Sequence, residues 1–525
     1  MTRVGSRRVL VAAAGLAIAA LALAGCAAPL DPSWQPPAWP AAAAVVGAVL
    51  PDPLDPATVP DLNGQRIRND AVGIQARYSF LPGDQAINAR LVGIVKDAVG
   101  ARSAATKTAY KPAVFPTGTG MGDRSCARGS TTRPAAEVLA DAALGPAGGS
   151  GSAVVCDVVA AAGNHFGERI RVVTGDASAI ASDVSTVLYT DVTTGELATA
   201  DQLWTADAPV ALWDDVVDAM RRSAGSLSLA GIQPPDDAGV AAVRAALATT
   251  VVAPDGSLVV TLPAGFTAPE LAALGLTATT APTIVALPPA VSAPLVTPFA
   301  AGLVAATAQA TPFAAPAVVP AGFEEIDCTL VPCVAMTYDD GPSDLTAGIL
   351  DAVAAHHFSV TFFAMGEKAR QYADVMKRAV AEGNLVENHT WNHPHLPTLT
   401  AEQVSKQIDD TQASITAADG QAPRVFRPPY GEYNAEVLVA AGLPAILWDV
   451  DTLDWQGPAD DVLTDRAVNQ PKPGSIVLQH DIQPNTGRTV SAVYDGLRDR
   501  GFTVVNIQQL FGGTLPTHGA YRSGR

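Results

Sequence analysis

VAMTYDD (334–340), VTFFAMG (360–366), LVENHT (385–390), RVFRPPYG (424–431), AILWDVDT (445–452), IVLQHD (476–481) and FTVVNI (502–507) are seven short apolar runs in the last third of a 525-residue chain. Helical patterns fill the gaps between them, at 343–356, 367–382, 400–418, 434–441, 459–469 and 487–499. Strands that alternate with helices over so short a distance are joined by right-handed crossovers. They therefore pair in parallel, in a sheet that is open or closed into a barrel.

The chemically distinctive residues cluster where these runs end. Asp339 and Asp340 follow the first, His389 and His393 the third, Arg427 the fourth, Asp451 and Asp454 the fifth, and His480 closes the sixth. Parallel α/β folds build their sites from the loops at the carboxyl ends of strands. A capping Asp, a core His or a surface ion pair explains any one of these residues, but not their joint placement. His389 and His393 are four residues apart, which on a helical turn sets both imidazoles on one face. With one carboxylate they form a His2Asp set that leaves positions open for water and substrate. Two adjacent carboxylates in a low-dielectric pocket resist double ionisation unless cations neutralise them. A metal on one and Arg427 on the other would do so.

These segments resemble the five motifs of NodB-type polysaccharide deacetylases, carbohydrate esterase family four. The matching stretches are TYDDGPS (337–343), HTWNH (389–393), RPPYG (427–431), DTLDW (451–455) and LQH (478–480), in order, with Tyr338 where the family usually has Phe. The resemblance covers roughly residues 326–511. It implies that Asp340, His389 and His393 bind a divalent metal, zinc first, with cobalt or another divalent ion as the alternative. It implies that Asp339 is the general base, held by Arg427, and that His480 is the general acid. Asp454 would orient His480, with Asp451 left open for that role. The Tyr430 N–H would help hold the oxyanion, and Trp455 and Leu478 would line the acetyl pocket. The expected activity is amide hydrolysis: removal of N-acetyl groups from a cell-wall amino-sugar polymer, peptidoglycan N-acetylglucosamine first. Deacetylation of chitin oligomers, an acetylxylan esterase, and a non-catalytic wall-binding scaffold are the alternatives. The expected fold is α/β, a distorted (β/α)7-type barrel preceded by an α+β extracellular domain. His356 and His357 end a helix and read as dipole partners. His395, beside the metal motif, reads as turned away from it.

Outward from this region the chain is less explicit. Residues 26–65 and 305–325 are crowded with Ala and Pro and read as a tether and a linker. Residues 66–304 mix alternating runs (169–173, 187–190) with helical ones (208–223, 236–249), giving an α+β accessory domain with an expected wall-facing role. The catalytic domain would then be 326–512, with a tail at 513–525. At the start, Arg3, Arg7 and Arg8 precede the uncharged 16-residue stretch Val9–Ala24. A membrane span needs about 20 residues, so a signal peptide over 1–25 fits better. Leu23-Ala24-Gly25-Cys26 resembles a bacterial lipobox, which implies lipidation at Cys26, a membrane anchor and a position facing the wall. That leaves four cysteines, an even number suited to an exported chain, and sequence order pairs Cys126 with Cys156 and Cys328 with Cys333. The net charge of −18 lacks the basic footprint of a nucleic-acid binder. The oligomeric state has no signature.

Overall fold

The computed structural model describes residues 43–226, 231–275 and 278–524. The expected signal peptide and lipidation site, Cys26, lie outside the described residues. The first described strand is Val45–Val46 (β1). An antiparallel-dominated six-stranded sheet follows: Asn63–Asn69 (β2), Ile74–Phe80 (β3), Gly151–Ala162 (β4), His165–Asp176 (β5), Ala179–Asp191 (β6) and Glu196–Thr199 (β7), in spatial order 2-3-4-5-6-7. Only β3 and β4 run parallel, across the connection that carries the long helix Gln85–Thr106. Asp84 caps that helix by accepting the N–H groups of Ala86 and Ile87. A smaller sheet, ordered β1-β10-β9-β8, is made with Val251–Val252 (β8), Leu258–Leu262 (β9) and Thr283–Leu287 (β10). The α+β texture of residues 66–304 is thus two sheets with helices, Trp213–Ser223 and Asp237–Leu247 among them.

The tether expected over 26–65 is docked wherever it is described. Val45 and Val46 pair with β10, Leu54 bridges Val158, and the six-stranded sheet already begins at Asn63. The linker expected over 305–325 is pinned on both sides. Thr311 O and Ala314 N bond to Gly163, while Gln509 Nε2 donates to Ala321 O. Ala/Pro composition predicts stiffness, but it carries no information about what the stiff segment lies against. One apolar core runs across the junction, joining Ile87, Leu91 and Val95 of the long helix to Leu330, Ala335, Ile476 and Val505. Buried Arg124 adds hydrogen bonds to Arg498 O and Phe502 O.

The remaining strands are Cys333–Asp339 (β11), Thr361–Ala364 (β12), Leu385–Asn388 (β13), Ala445–Ile446 (β14), Val450–Asp451 (β15), Ile476–His480 (β16), Thr503–Val505 (β17) and Ala520–Tyr521 (β18). β13-β12-β11-β16-β15 form an all-parallel sheet, with β17 also on β11. Every residue of β11 is buried, as befits a central strand covered on both faces. Helix Ala401–Asp419 shows how local sequence sets an element: Thr400 and Gln403 form a capping box, and Gly420 ends it at φ 85°.

Two of the expected strands differ. RVFRPPYG contributes only a bridge at Phe426, to Asn388 on one side and Ala445 on the other, because Pro428 and Pro429 have no N–H to donate. The run at 445–452 is split into β14 and β15. The tail at 513–525 is also not free: β18 pairs with β14, and Gly524 N bonds Gly474 O.

Both disulfides form in the expected pairing, Cys126–Cys156 and Cys328–Cys333, closing loops of 30 and 5 residues. Loop entropy assigns them about 4 and 2 kcal/mol. The Cys126→Ser/Cys156→Ser protein should therefore lose more thermal stability than Cys328→Ser/Cys333→Ser. Calorimetry of the two checks the order.

Candidate active site

Asp339 is the last residue of β11, and strand alternation places it on the same face as Thr337. Between them sits the guanidinium of fully buried Arg427, which donates from Nη1 to Thr337 Oγ1 (2.7 Å) and Asp339 Oδ1 (2.8 Å). Nε and Nη2 donate to the carbonyls of Ile446 and Leu447, and the group lies 4.2 Å from the centre of the Phe363 ring. A buried cation so fully engaged cannot swing, so it fixes Oδ1 of Asp339. It leaves Oδ2 facing His389 Nε2 at 3.7 Å.

Consecutive strand residues normally point to opposite faces. Here the strand has ended, and Asp340 takes a left-handed φ of 70°, bringing its carboxylate beside the histidines. Lys368 Nζ donates to its carbonyl at 2.8 Å. Gly341 follows because nothing larger fits: a Cβ there would lie 2.0 Å from Asp481 Oδ2.

His389 and His393 converge without the expected helical turn. Residues 389–393 form an irregular loop, in which Thr390 (φ 67°) and His393 (φ 61°) are left-handed and bring the rings to a centroid distance of 5.0 Å. Their Nε2 atoms lie 3.3 and 3.5 Å from Asp340 Oδ1, a buried oxygen that makes no hydrogen bond. His389 Nδ1 is 2.8 Å from Arg427 O, so it carries the proton and Nε2 is left as a lone pair. Burial raises the Asp340 pKa, but the neighbouring histidines outweigh it and hold the carboxyl well below its usual range. Burial lowers the His389 pKa, and the negative field of Asp339 and Asp340 reverses it upward. Three donors, an unpartnered carboxylate oxygen and a net negative field fit a divalent cation. The other such donor group among the described residues, Cys126, Cys156 and Glu168, has its sulfurs joined in the disulfide.

His480, at the end of β16, reaches Asp454 through Nδ1···Oδ1 at 2.7 Å. Asp454 Oδ2 accepts the His480 N–H and the Thr486 hydroxyl. Burial lowers the His480 pKa, but Asp454, then Asp339 and Asp340, push it up to about 9. Asp451 instead accepts the N–H of Leu453, whose φ of 55° turns the chain to present Asp454. Of the two candidates, it is Asp454 that touches His480.

Tyr430 (φ 60°) stands over His393, with ring centroids 4.4 Å apart. Leu478 is buried in β16 beside Thr337, and Trp455 is half exposed on the short turn after Leu453. His356 and His357 lie elsewhere, on Asp495 and Glu324. His395 is outside the donor cluster but stacks on Tyr430. Sequence reasoning missed Thr337, Lys368 and Asp481. Thr337 had a signal in its period-two spacing from Asp339; the other two had none. Asp481 is buried, accepts the Thr346 hydroxyl, and has its pKa pushed up to about 7, chiefly by burial.

Residues 327–444 match the polysaccharide deacetylase family. The chain is 37% identical over 183 residues to a peptidoglycan-N-acetylglucosamine deacetylase of Listeria monocytogenes, covering 35% of this chain and 39% of that protein. It is 35% identical over 199 residues to a chitooligosaccharide deacetylase of Sinorhizobium fredii, covering 34% of this chain and 93% of the relative. A solved peptidoglycan deacetylase from Bacillus subtilis is 35% identical with a TM-score of 0.34, over 35% of this chain and 91% of that one. The chain thus spans well under half of the Listeria protein but nearly all of the Sinorhizobium one. Because the chain is 35% identical to the Sinorhizobium protein over 93% of that protein's length, the chain belongs to the polysaccharide deacetylase family.

Proposed function

We propose that the protein hydrolyses N-acetyl groups from a cell-wall amino-sugar polymer, with peptidoglycan N-acetylglucosamine as the preferred substrate. The observation that carries this reading is the convergence of three separate devices at the ends of β11, β13 and β16. One is the Asp339–Arg427 pair, one the Asp340/His389/His393 donor set, and one the His480–Asp454 pair. Amide hydrolysis needs a proton acceptor for water, a stabilised oxyanion and a proton for a poor amine leaving group. Asp340, His389 and His393 would hold a divalent ion, zinc by the imidazole-rich donor set. Bound there, such an ion supplies Lewis acidity toward water and the amide carbonyl.

Asp339 takes the water proton on Oδ2, while Arg427 holds Oδ1 still. His480, protonated and braced by Asp454, gives a proton to the departing amine. The Tyr430 N–H faces the oxyanion, and Leu478 and Trp455 border the acetyl methyl. The Phe426 bridges to β13 and β14, beside the parallel sheet β13-β12-β11-β16-β15, support a distorted seven-stranded barrel as the frame. The Listeria and Bacillus relatives, named for peptidoglycan, favour an extracytoplasmic setting, as do the two disulfides. The Cys26 lipobox is consistent with anchoring there, and residues 66–304 would then present the catalytic region to the wall.

Acetate release from purified peptidoglycan, chitin oligomers and acetylated xylan tests the substrate. Release from peptidoglycan above the other two is expected. Turnover confined to xylan esters would remove the amide assignment, and tight binding to wall glycan without release would favour a scaffold.

A further inference from the structure

Tyr430 has the left-handed φ of 60°, which a non-glycine residue keeps only where its surroundings over-determine it. Its approach is stiffened by Pro428 and Pro429. After it, Gly431 turns at φ 68°, where a Cβ would sit 3.0 Å from the Trp448 ring. Tyr430 is 54% exposed, so core packing does not hold it. Two imidazoles do. His393 meets the ring edge-on at 4.4 Å and 68°, and His395 stacks on it at 4.2 Å and 11°.

His395 is itself anchored. Its carbonyl accepts both the N–H and the hydroxyl of Thr398, and its neighbour Leu396 is fully buried. Its Nδ1 lies 2.9 Å from Glu432 Oε2, and the Glu432 N–H bonds Pro429 O. The loop after β13 and the loop after Phe426 are already joined at their bases through Arg427 N to Asn388 O. The His395–Tyr430–Glu432 contact joins them again at their tips. An exposed His–Glu pair adds little stability by itself, so its consequence lies in geometry.

We propose that His395 and Glu432 are positioning residues. By clamping the Tyr430 ring they fix the Tyr430 backbone and the orientation of the His393 imidazole. The clamp thereby couples the oxyanion donor to the metal-holding set. This rests on the reading of His393 and Tyr430 given above.

Zinc affinity by chelator competition, kcat and KM, and thermal melting would be measured for wild type, His395→Ala, His395→Phe and Glu432→Ala. Loss of a residue that orients a ligand typically costs about 10–100-fold in metal affinity or activity, and His395→Ala should fall at the lower end in both. KM should stay within about twofold, since the ground-state contacts are untouched. The melting temperature should not move. His395→Phe keeps the stack and should recover most of both losses, whereas Glu432→Ala frees the His395 ring and should lose part of both. Wild-type zinc affinity and kcat in His395→Ala, beside lost zinc in Asp340→Asn, would overturn the clamp alone. His395→Phe no better than His395→Ala would do the same. A wild-type protein that binds no zinc would overturn the site reading and the clamp with it.

Discussion

Asp339→Asn is expected to lower kcat by about 10²–10⁴-fold, the usual cost of removing a general base, while bound zinc stays at wild-type stoichiometry. The asparagine amide oxygen can still accept from Arg427 Nη1, so the pocket keeps its shape. What disappears is the second carboxylate oxygen, the one 3.7 Å from His389 Nε2, as a proton acceptor. The cost in folding should be tolerable, because Arg427 also donates to Thr337, Ile446 and Leu447. Asp340→Asn should behave differently. It removes the one charge in the donor set and leaves two imidazoles, so zinc should be lost along with turnover. Metal content after dialysis, measured beside kcat for both variants, separates them. Retained zinc in Asp340→Asn with lost zinc in Asp339→Asn would exchange the two roles.

The sequence made the parallel sheet legible because β11, β12, β13 and β16 lie in short, largely apolar runs bounded by helical periodicity. It could not show that AILWDVDT breaks in the middle. The break falls at Trp448-Asp449, where the Asp449 carboxylate accepts the Ile476 N–H and the Ser475 hydroxyl instead of solvent. Nor could it show that 43–65, 311–323 and 520–524 are docked. Each offers its own backbone groups, to β10, Gly163, the Gln509 side chain and β14, and backbone donors and acceptors leave no mark in side-chain composition.

At the site, residue type at strand ends was the legible part, because His, Asp and Arg have few reasons to recur there. The geometry that brings them together was not. It depends on left-handed backbone at Asp340, Thr390, His393, Tyr430 and Leu453, none of them glycine. A left-handed glycine announces itself in sequence, whereas a left-handed Thr or His does not. The helical-turn expectation for His389 and His393 gave the right neighbours by the wrong local structure. Asp481 was hidden for another reason: from sequence it is one more polar residue after a strand, and only its burial against Gly341 gives it a role.

His480→Ala should also cost about 10²–10⁴-fold in kcat on an N-acetyl substrate, because the amine departs poorly without a proton. An activated aryl acetate needs little protonation and should lose far less. Equal losses on the two substrates would mean that His480 acts on something other than the leaving group. The pH dependence follows from the pair. His480 is pushed up to about 9 from the ordinary 6.5: burial opposes protonation, but Asp454, followed by Asp339 and Asp340, prevails. A cation held by Asp340 would offset part of that field and leave the share owed to Asp454. The alkaline limb of kcat/KM should therefore lie between 6.5 and 9, with activity falling as pH rises through it. The linked stability has the same sign. It is fully present below the unfolded value of 6.5 and is lost as pH climbs through the folded one. In Asp454→Asn the raising partner is gone and burial remains, so the limb should move to more acidic pH. At neutral pH this variant should then lose most of its amide turnover while keeping its zinc. An alkaline limb that stays in place in Asp454→Asn would remove His480 as the group that sets it.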